Sequence, residues 1–216
     1  MISIVEYDES LFPFVTCLRE HYDWGYGLGA LHKWSMEKFP LLEGKDKDQS
    51  SPIHKHFYSI FDTDNEFLAV YYQFVSKVVR PFYGEDIIYQ AKTTFRIHYP
   101  GNLAVGEWHK DSEYNHPLEE ENWWVPFTLA YDTNTIWLES EEDKGDYKAY
   151  DLSPGQCLLF PGGKLRHGNK VNETGVSRVS IDFRVMRIRD YKASDAGSAA
   201  MKLKFQVGGY YAALEG

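Results

Sequence analysis

The amino-acid sequence predicts a mainly β fold with added α-helix, in which a helical N-terminal layer packs on a β jelly roll. Three observations carry that expectation. Apolar residues recur at helical spacing before residue 85, the texture changes to short strands after Gly84, and Gly, Pro and Asn turns punctuate the strand-rich half. Aromatic residues make up 16% of the chain, and such side chains favour strands and line ligand pockets. At 216 residues a full core can form without disulfide or metal staples. No internal repeat or low-complexity linker divides the chain, so 1–216 reads as one domain: mainly helical support over 1–85, a jelly-roll core over 86–189, and a tail over 190–216 whose aromatic stretch 205–211 folds back.

Near the N-terminus, Ser10 is placed to cap a helix beginning Leu11-Phe12-Pro13, since proline is tolerated in a first turn where its missing N–H has no partner to lose. A second helix is predicted over 29–38, before Pro40, and the Lys- and Asp-rich stretch 43–51 reads as an exposed loop. Asp64 reads as the cap of a helix over 66–79, where Phe67, Val70, Tyr71, Phe74 and Val78 recur at helical spacing and Pro81 ends the run. Strands are predicted over 87–99, 123–131, 135–138, 157–160 and 176–188.

Charge and cysteine content bound the function. With 23 Lys+Arg against 32 Asp+Glu the formal net charge is −9, which repels phosphate backbones and weighs against a nucleic-acid partner. Cys17 and Cys157 lie far apart with no CxxC, so neither a disulfide framework nor a thiolate metal site is indicated, and a reducing cytoplasm is the expected location. The acidic N-terminus lacks the basic start and apolar run of a signal peptide. No stretch approaches the roughly 18 consecutive apolar residues of a membrane span.

The candidate chemistry begins at His109-Lys110-Asp111. In an extended segment, side chains two apart share one face, so an imidazole and a carboxylate can converge on one ion. The pattern is weak alone: His21-Tyr22-Asp23 repeats it at a predicted helix end, where positions two apart diverge. Downstream, 152–168 reads as a turn, a short apolar strand, a Gly turn and then His167. Alone, His167 reads as a satisfied loop histidine; within this frame it could complete two histidines and one carboxylate on one face of a metal, the arrangement of non-haem ferrous oxygenases. Along 178–185, Val179, Ile181, Phe183 and Val185 alternate with Arg178, Ser180, Asp182 and Arg184. That polar face is either solvent-exposed or, inside a barrel, an anion site built on a guanidinium fork and a hydroxyl.

The set His109-x-Asp111, His167 and Arg178-x-Ser180, with Arg178 eleven positions after His167, resembles the Fe(II)- and 2-oxoglutarate-dependent oxygenases over roughly 93–187. The wider texture, including Trp108 and the strand over 177–184, looks like the small oxygenase-like proteins of the streptomycin-biosynthesis group. The resemblance implies a cupin-like double-stranded β-helix and an enzyme with Fe(II) held by His109, Asp111 and His167 as its catalytic centre. It also implies 2-oxoglutarate with its distal carboxylate on Arg178 and Ser180, and dioxygen as the second cosubstrate. Halogenating members of that family usually carry a small residue at the position of Asp111. The retained carboxylate therefore implies hydroxylation, desaturation or ring closure at a C–H bond of a small polar molecule, such as an amino sugar or another natural-product intermediate.

Further residues have two readings each. Arg96 and His98 alternate with Phe95, Ile97 and Tyr99 and face either the barrel interior or an outer polar surface. Trp108 walls the site or belongs to a core. Glu113, Tyr114 and Asn115 face substrate or stabilise their own loop, and Arg184 is a second anion contact or the salt-bridge partner of Asp182. His116 does not fit the ligand spacing. The acidic runs 119–121 and 139–143 read as solvated turns or as attractors of a cationic substrate. Two competing functions share the fold: a metal-dependent cupin isomerase or lyase without 2-oxoglutarate, and a non-catalytic sugar-binding jelly roll.

Overall fold

The computed structural model describes residues 1–22, 25–38, 52–63, 66–104, 107–198 and 202–215. The expected loop at 43–51, Pro40, the Asp64 cap and Asp23 of the second His-x-Asp pattern lie outside these residues.

The chain opens with strand β1 (Ser3–Glu6), runs through helices α1 (Phe14–His21), α2 (Leu31–Lys38), α3 (Pro52–Tyr58), α4 (Ile60–Thr63), α5 (Glu66–Phe74) and α6 (Arg80–Tyr83), and then turns to strand. The strands are β2 (Ile87–Gln90), β3 (Thr94–His98), β4 (Glu121–Pro126), β5 (Ile136–Leu138), β6 (Lys148–Tyr150), β7 (Gln156–Phe160), β8 (His167–Gly168), β9 (Arg178–Arg187) and β10 (Tyr211–Leu214). The fold is thus mainly β with helices. β1 is a strand within the region expected to be mainly helical, and it pairs with β7, Val5 opposite Cys157.

Two helix boundaries also depart from expectation. Ser10 does not cap α1: its N–H and hydroxyl both donate to Asp8 Oδ1, at 2.8 and 2.7 Å, and Pro13 takes the N-cap position. Pro81 does not end the long helix either. A π-helical turn, Val75–Val79, joins α5 to α6, and the helix stops at Gly84, whose φ of 67° is left-handed. The wider turn gives room around the carbonyls that a proline ring would otherwise meet. It also rotates the buried stripe, so that Val75 and Val79 lie in the core and Val78 is only half-buried.

Among the described residues, seven strands form an antiparallel sheet in the order β1-β7-β4-β9-β2-β10, with β3 also on β9, and three form a second sheet, β6-β5-β8. β9 is buried almost throughout because the large sheet is covered on both faces. On one face Phe95, Trp123, Cys157, Leu159, Val179, Ile181, Phe183 and Val185 pack with Phe14, Phe67, Tyr71 and Phe74 of the helices. On the other, Trp124, Leu158 and Phe160 pack with Ile136 and Leu138 of the small sheet. The polar face of β9 therefore points between two sheets, and its reading as a solvent face is excluded by burial. The aromatic tail does fold back: Phe205, Tyr210 and Tyr211 bury against Ile88 and Met186, and β10 pairs with β2. No described helix is long and apolar enough to cross a membrane.

The acidic runs are only partly solvated. Glu120 and Glu139 are 1% and 2% exposed, a correction to the reading of both runs as solvated turns. Glu120 accepts from Tyr211 and pairs with His116, while Glu139 accepts the Gly145 and Arg166 backbone N–H groups and so fixes its loop.

Candidate metal centre and its cavity

The two candidate histidines face each other across a short antiparallel bridge. His109 N–H donates to His167 O at 3.0 Å and His167 N–H returns a bond to His109 O at 2.9 Å. Residues paired in this way project their side chains to one face, which brings the rings to a centroid separation of 4.5 Å. Asp111 lies two positions on along extended backbone and starts the 3-10 turn Asp111–Tyr114, anchored by its N–H to Gly162 O at 2.9 Å. The ligand-type atoms of His109, Asp111 and His167 all lie within 4.8 Å of one another.

The donor set fits a divalent ion. His109 Nδ1 lies 2.9 Å from Glu107 O, and His167 Nδ1 lies 2.9 Å from Leu165 O. A carbonyl can only accept, so each Nδ1 carries the proton and each Nε2 presents a lone pair. Those Nε2 atoms stand 3.4 and 3.5 Å from Asp111 Oδ1. Metal-bound imidazoles are oriented in this way by the hydrogen bond of the second nitrogen. Two imidazoles and a carboxylate suit Fe(II) and leave coordination positions open. Burial pushes the Asp111 carboxyl up, but the Arg184 charge beside it works the other way, and the group is held well below the usual carboxylate range. Asp111 is accordingly an anion at neutral pH.

A cleft open to solvent extends from this cluster between the two sheets. Its lining includes His109, His167, Arg96, Arg178, Arg184 and Asp182. Arg178 is 1% exposed; its Nε donates to Asn134 O at 3.0 Å, its Nη1 to Ser180 Oγ at 2.8 Å, and its guanidinium lies 5.5 Å from the Trp124 ring. The Ser180 hydroxyl accepts from Arg178 and so keeps its own proton to donate. Opposite Arg178 on β3 stands His98, whose Nε2 lies 2.7 Å from Asn102 O. Burial, then the Arg178 charge, pulls its pKa down to about 3, so His98 is neutral and adds no second cation.

The remaining expected residues divide. Arg96 lines the cleft, with Nε 3.2 Å from Asp182 Oδ1, and Arg184 lines it while bonded to both Asp111 and Asp182. Trp108, Glu113, Tyr114 and Asn115 are not among the lining residues. Trp108 packs against Gly168, where a Cβ would come within 3.0 Å of its ring, and against Tyr147. Glu113 pairs with Arg166, Asn115 ends the 3-10 turn at a φ of 65°, and Tyr114 sets its ring against the edge of His109, 5.3 Å away. His116 is held by Glu120, away from the ligand set.

No family model matches the chain. The streptomycin biosynthesis protein StrG of Streptomyces griseus is 36% identical over 170 residues, which span 77% of this chain and 78% of that protein. The chain belongs to the StrG family. Solved structures extend this StrG-family likeness to a wider fold. Apo EctD from S. alaskensis superposes with a TM-score of 0.52 at 12% identity, covering 92% of this chain and 76% of that one. The non-heme alpha ketoglutarate dependent carbocyclase SnoK from nogalamycin biosynthesis superposes with 0.52 at 11% identity, covering 99% and 92%. At such identities the likeness is one of fold.

Sequence reasoning missed Asn122, Trp124 and Asn169 as cleft residues of this StrG-family chain. Asn122 carried a usable signal: it immediately precedes the predicted strand beginning at Trp123 and shares parity with Trp124, but parity says nothing until β4 is paired with β9.

Proposed function

We propose that this chain is an Fe(II)- and 2-oxoglutarate-dependent oxygenase built on a double-stranded β-helix, and that it oxidises a C–H bond of a small polar molecule. One observation carries the reading: a single cleft is lined by the two histidines of the metal cluster and by a buried arginine whose neighbour is a serine hydroxyl. A cupin acting without 2-oxoglutarate has no need of that buried cation. The fold likeness to an alpha ketoglutarate dependent carbocyclase agrees with this reading, and the relative named for streptomycin biosynthesis supports a natural-product intermediate, such as an amino sugar, as substrate.

In this reading His109, Asp111 and His167 hold the ion, through the two Nε2 atoms and Oδ1. Bound Fe(II) would supply the dioxygen chemistry that couples decarboxylation of 2-oxoglutarate to substrate oxidation. Arg178 receives the distal carboxylate of the cosubstrate with its fork, and the Ser180 hydroxyl adds a third donor. Trp124, Ile136 and Phe160 wall the cleft with apolar surface, which limits water around the reacting groups. Arg96, which lines the cleft, is the candidate substrate contact.

The test is anaerobic loading of the purified protein with Fe(II), followed by 2-oxoglutarate. The reading expects a visible charge-transfer band and then, in air, succinate release stimulated by one member of a panel of amino sugars, amino acids and nucleosides. Iron binding without the band would favour a cupin; no tight iron binding would favour a non-catalytic module.

A further inference from the structure

Among the described residues, the N–H donors that reach the Asp111 carboxylate from outside the histidine pair converge on the same oxygen. Asn122 Nδ2 donates to Oδ2 at 2.8 Å, and Arg184 reaches it with Nε at 3.2 Å and Nη2 at 3.1 Å. Oδ1 is left to the two histidine Nε2 atoms. Sheet register sets up this convergence, since Asn122 and Arg184 are direct cross-strand partners on β4 and β9. Arg184 is steered in turn: its Nη1 donates to Asp182, whose other oxygen faces Arg96.

Asn122 carries a second, independent signal. It is buried, its Oδ1 makes no hydrogen bond among the described residues, and its amide is committed to Asp111. A buried amide half-satisfied is destabilising, so a leucine or valine would serve the core better. Gly162 presses on the same amide: a Cβ there would lie 2.4 Å from Asn122 Nδ2. The backbone of Gly162 also accepts the Asp111 N–H, so the residue holds Asp111 from one side and the amide from the other.

Taking the proposed metal reading as its basis, we propose that Asn122 and Arg184 are positioning residues that restrict Asp111 to coordination through one oxygen. A carboxylate can bind a metal through one oxygen or two. Binding through both would take a position that the facial arrangement leaves for a chelating cosubstrate and dioxygen. Three N–H groups on Oδ2 oppose that second bond and fix the direction of Oδ1.

Three variants test the inference, each titrated anaerobically with Co(II) and Fe(II) by calorimetry and then with 2-oxoglutarate by absorbance. Arg184→Lys keeps the positive charge but loses the fork. Asn122→Ser removes no charge and shortens the donor. Gly162→Ala touches neither group chemically and displaces the amide. The expected result is a rise in metal Kd of about 10- to 100-fold for Arg184→Lys, the scale of such supporting contacts, with smaller rises for the other two. In each the charge-transfer band per bound Fe(II) is also weaker. A merely structural role would lower thermal stability while leaving metal Kd and band intensity per bound ion at wild-type values, and that outcome overturns the proposal. Asn122→Ser carries the test if Arg184→Lys does not fold. Failure of the wild-type protein to bind either ion sinks the metal reading itself, a result distinct from failure of the positioning role.

Discussion

On the helix side of β9, Val179, Ile181, Phe183 and Val185 are fully buried among aromatic rings; on the cleft side, Arg178, Ser180, Asp182 and Arg184 are buried almost as deeply. One strand thus carries two cores held by different physics. The apolar face gains about 25 cal/mol for each Å² removed from water and needs only shape complementarity. The polar face gains little from burial, because each desolvated charge must recover through its partners what it lost in hydration. It persists only as a chain of pairs, Arg96 to Asp182 to Arg184 to Asp111, with Arg178 held by Asn134 and Ser180. The difference teaches where to look for function: in the layer whose composition stability alone does not explain.

Two substitutions should separate the layers, and they carry the largest expected effects. His167→Ala is expected to abolish Fe(II)-dependent succinate release while lowering unfolding free energy by less than about 2 kcal/mol, within the ordinary range for a single substitution. Turnover at the wild-type rate would remove His167 from the metal set. Phe183→Ala should do the reverse. Its ring packs against Tyr71, Phe74 and Trp123, and its loss should lower stability by about 3–5 kcal/mol in urea unfolding. Succinate release per folded molecule should remain. If Phe183→Ala destroyed activity at temperatures where it stays folded, the two faces would not be separable.

The two layers were not equally legible in sequence. The alternation along 178–185 gave both faces of β9, and the His-x-Asp spacing put His109 and Asp111 on one side, where they meet His167, because strand parity maps directly onto space. What parity does not reveal is the covering: nothing in the strand itself says that a second sheet, with the short strands β6 and β8, closes over the polar face. Strands of two or three residues have too few positions to show a period, and edge strand β1 with exposed Ile4 has no apolar stripe to read. Glu120 and Glu139 read as solvated because a buried acid differs from an exposed one only in its partners. Those partners come from the tail, from the His116 loop and from backbone N–H groups that no composition displays.

The polar layer itself should show graded sensitivity. Arg178→Met removes the fork proposed for the cosubstrate, and with it two charge-assisted hydrogen bonds. The expected rise in the 2-oxoglutarate Kd is about 100-fold, with metal Kd unchanged, read from the charge-transfer titration. Unaltered 2-oxoglutarate affinity would place the carboxylate elsewhere. Beside it, His98 links this layer to pH. Its folded pKa lies at about 3, and that of His54 at about 4, both below the ordinary value of 6.5, with burial the leading cause. The unfolded chain therefore binds protons that the native chain refuses, and stability is lost as pH falls through 6.5 toward those folded values. Between pH 7 and pH 5 each of the two contributes a fall of about 2 kcal/mol. His98→Gln should remove one such share, and an unchanged pH slope in urea midpoints would mean that His98 is protonated in the fold.

The smallest effect is expected at Glu113, where the contacts in the structure match the loop-stabilising one of its two sequence readings. Glu113 shares the 3-10 turn with Asp111, yet its carboxylate reaches back to Arg166 and does not line the cleft. Arg166 also donates to the Trp108 carbonyl at 2.9 Å, so the pair ties the turn to the segment leading into His109. Both partners are partly exposed, and an ion pair in water is worth at most about 1 kcal/mol. Glu113→Gln keeps the shape and one acceptor. It should shift the urea midpoint by less than that amount and leave succinate release with the accepted substrate within about twofold. A drop in kcat/KM of tenfold or more, with 2-oxoglutarate affinity intact, would instead show Glu113 turning toward the substrate when it binds. The cleft would then extend past His109 along this loop, and the contrast between a buried working layer and a merely supporting rim would fail at that point.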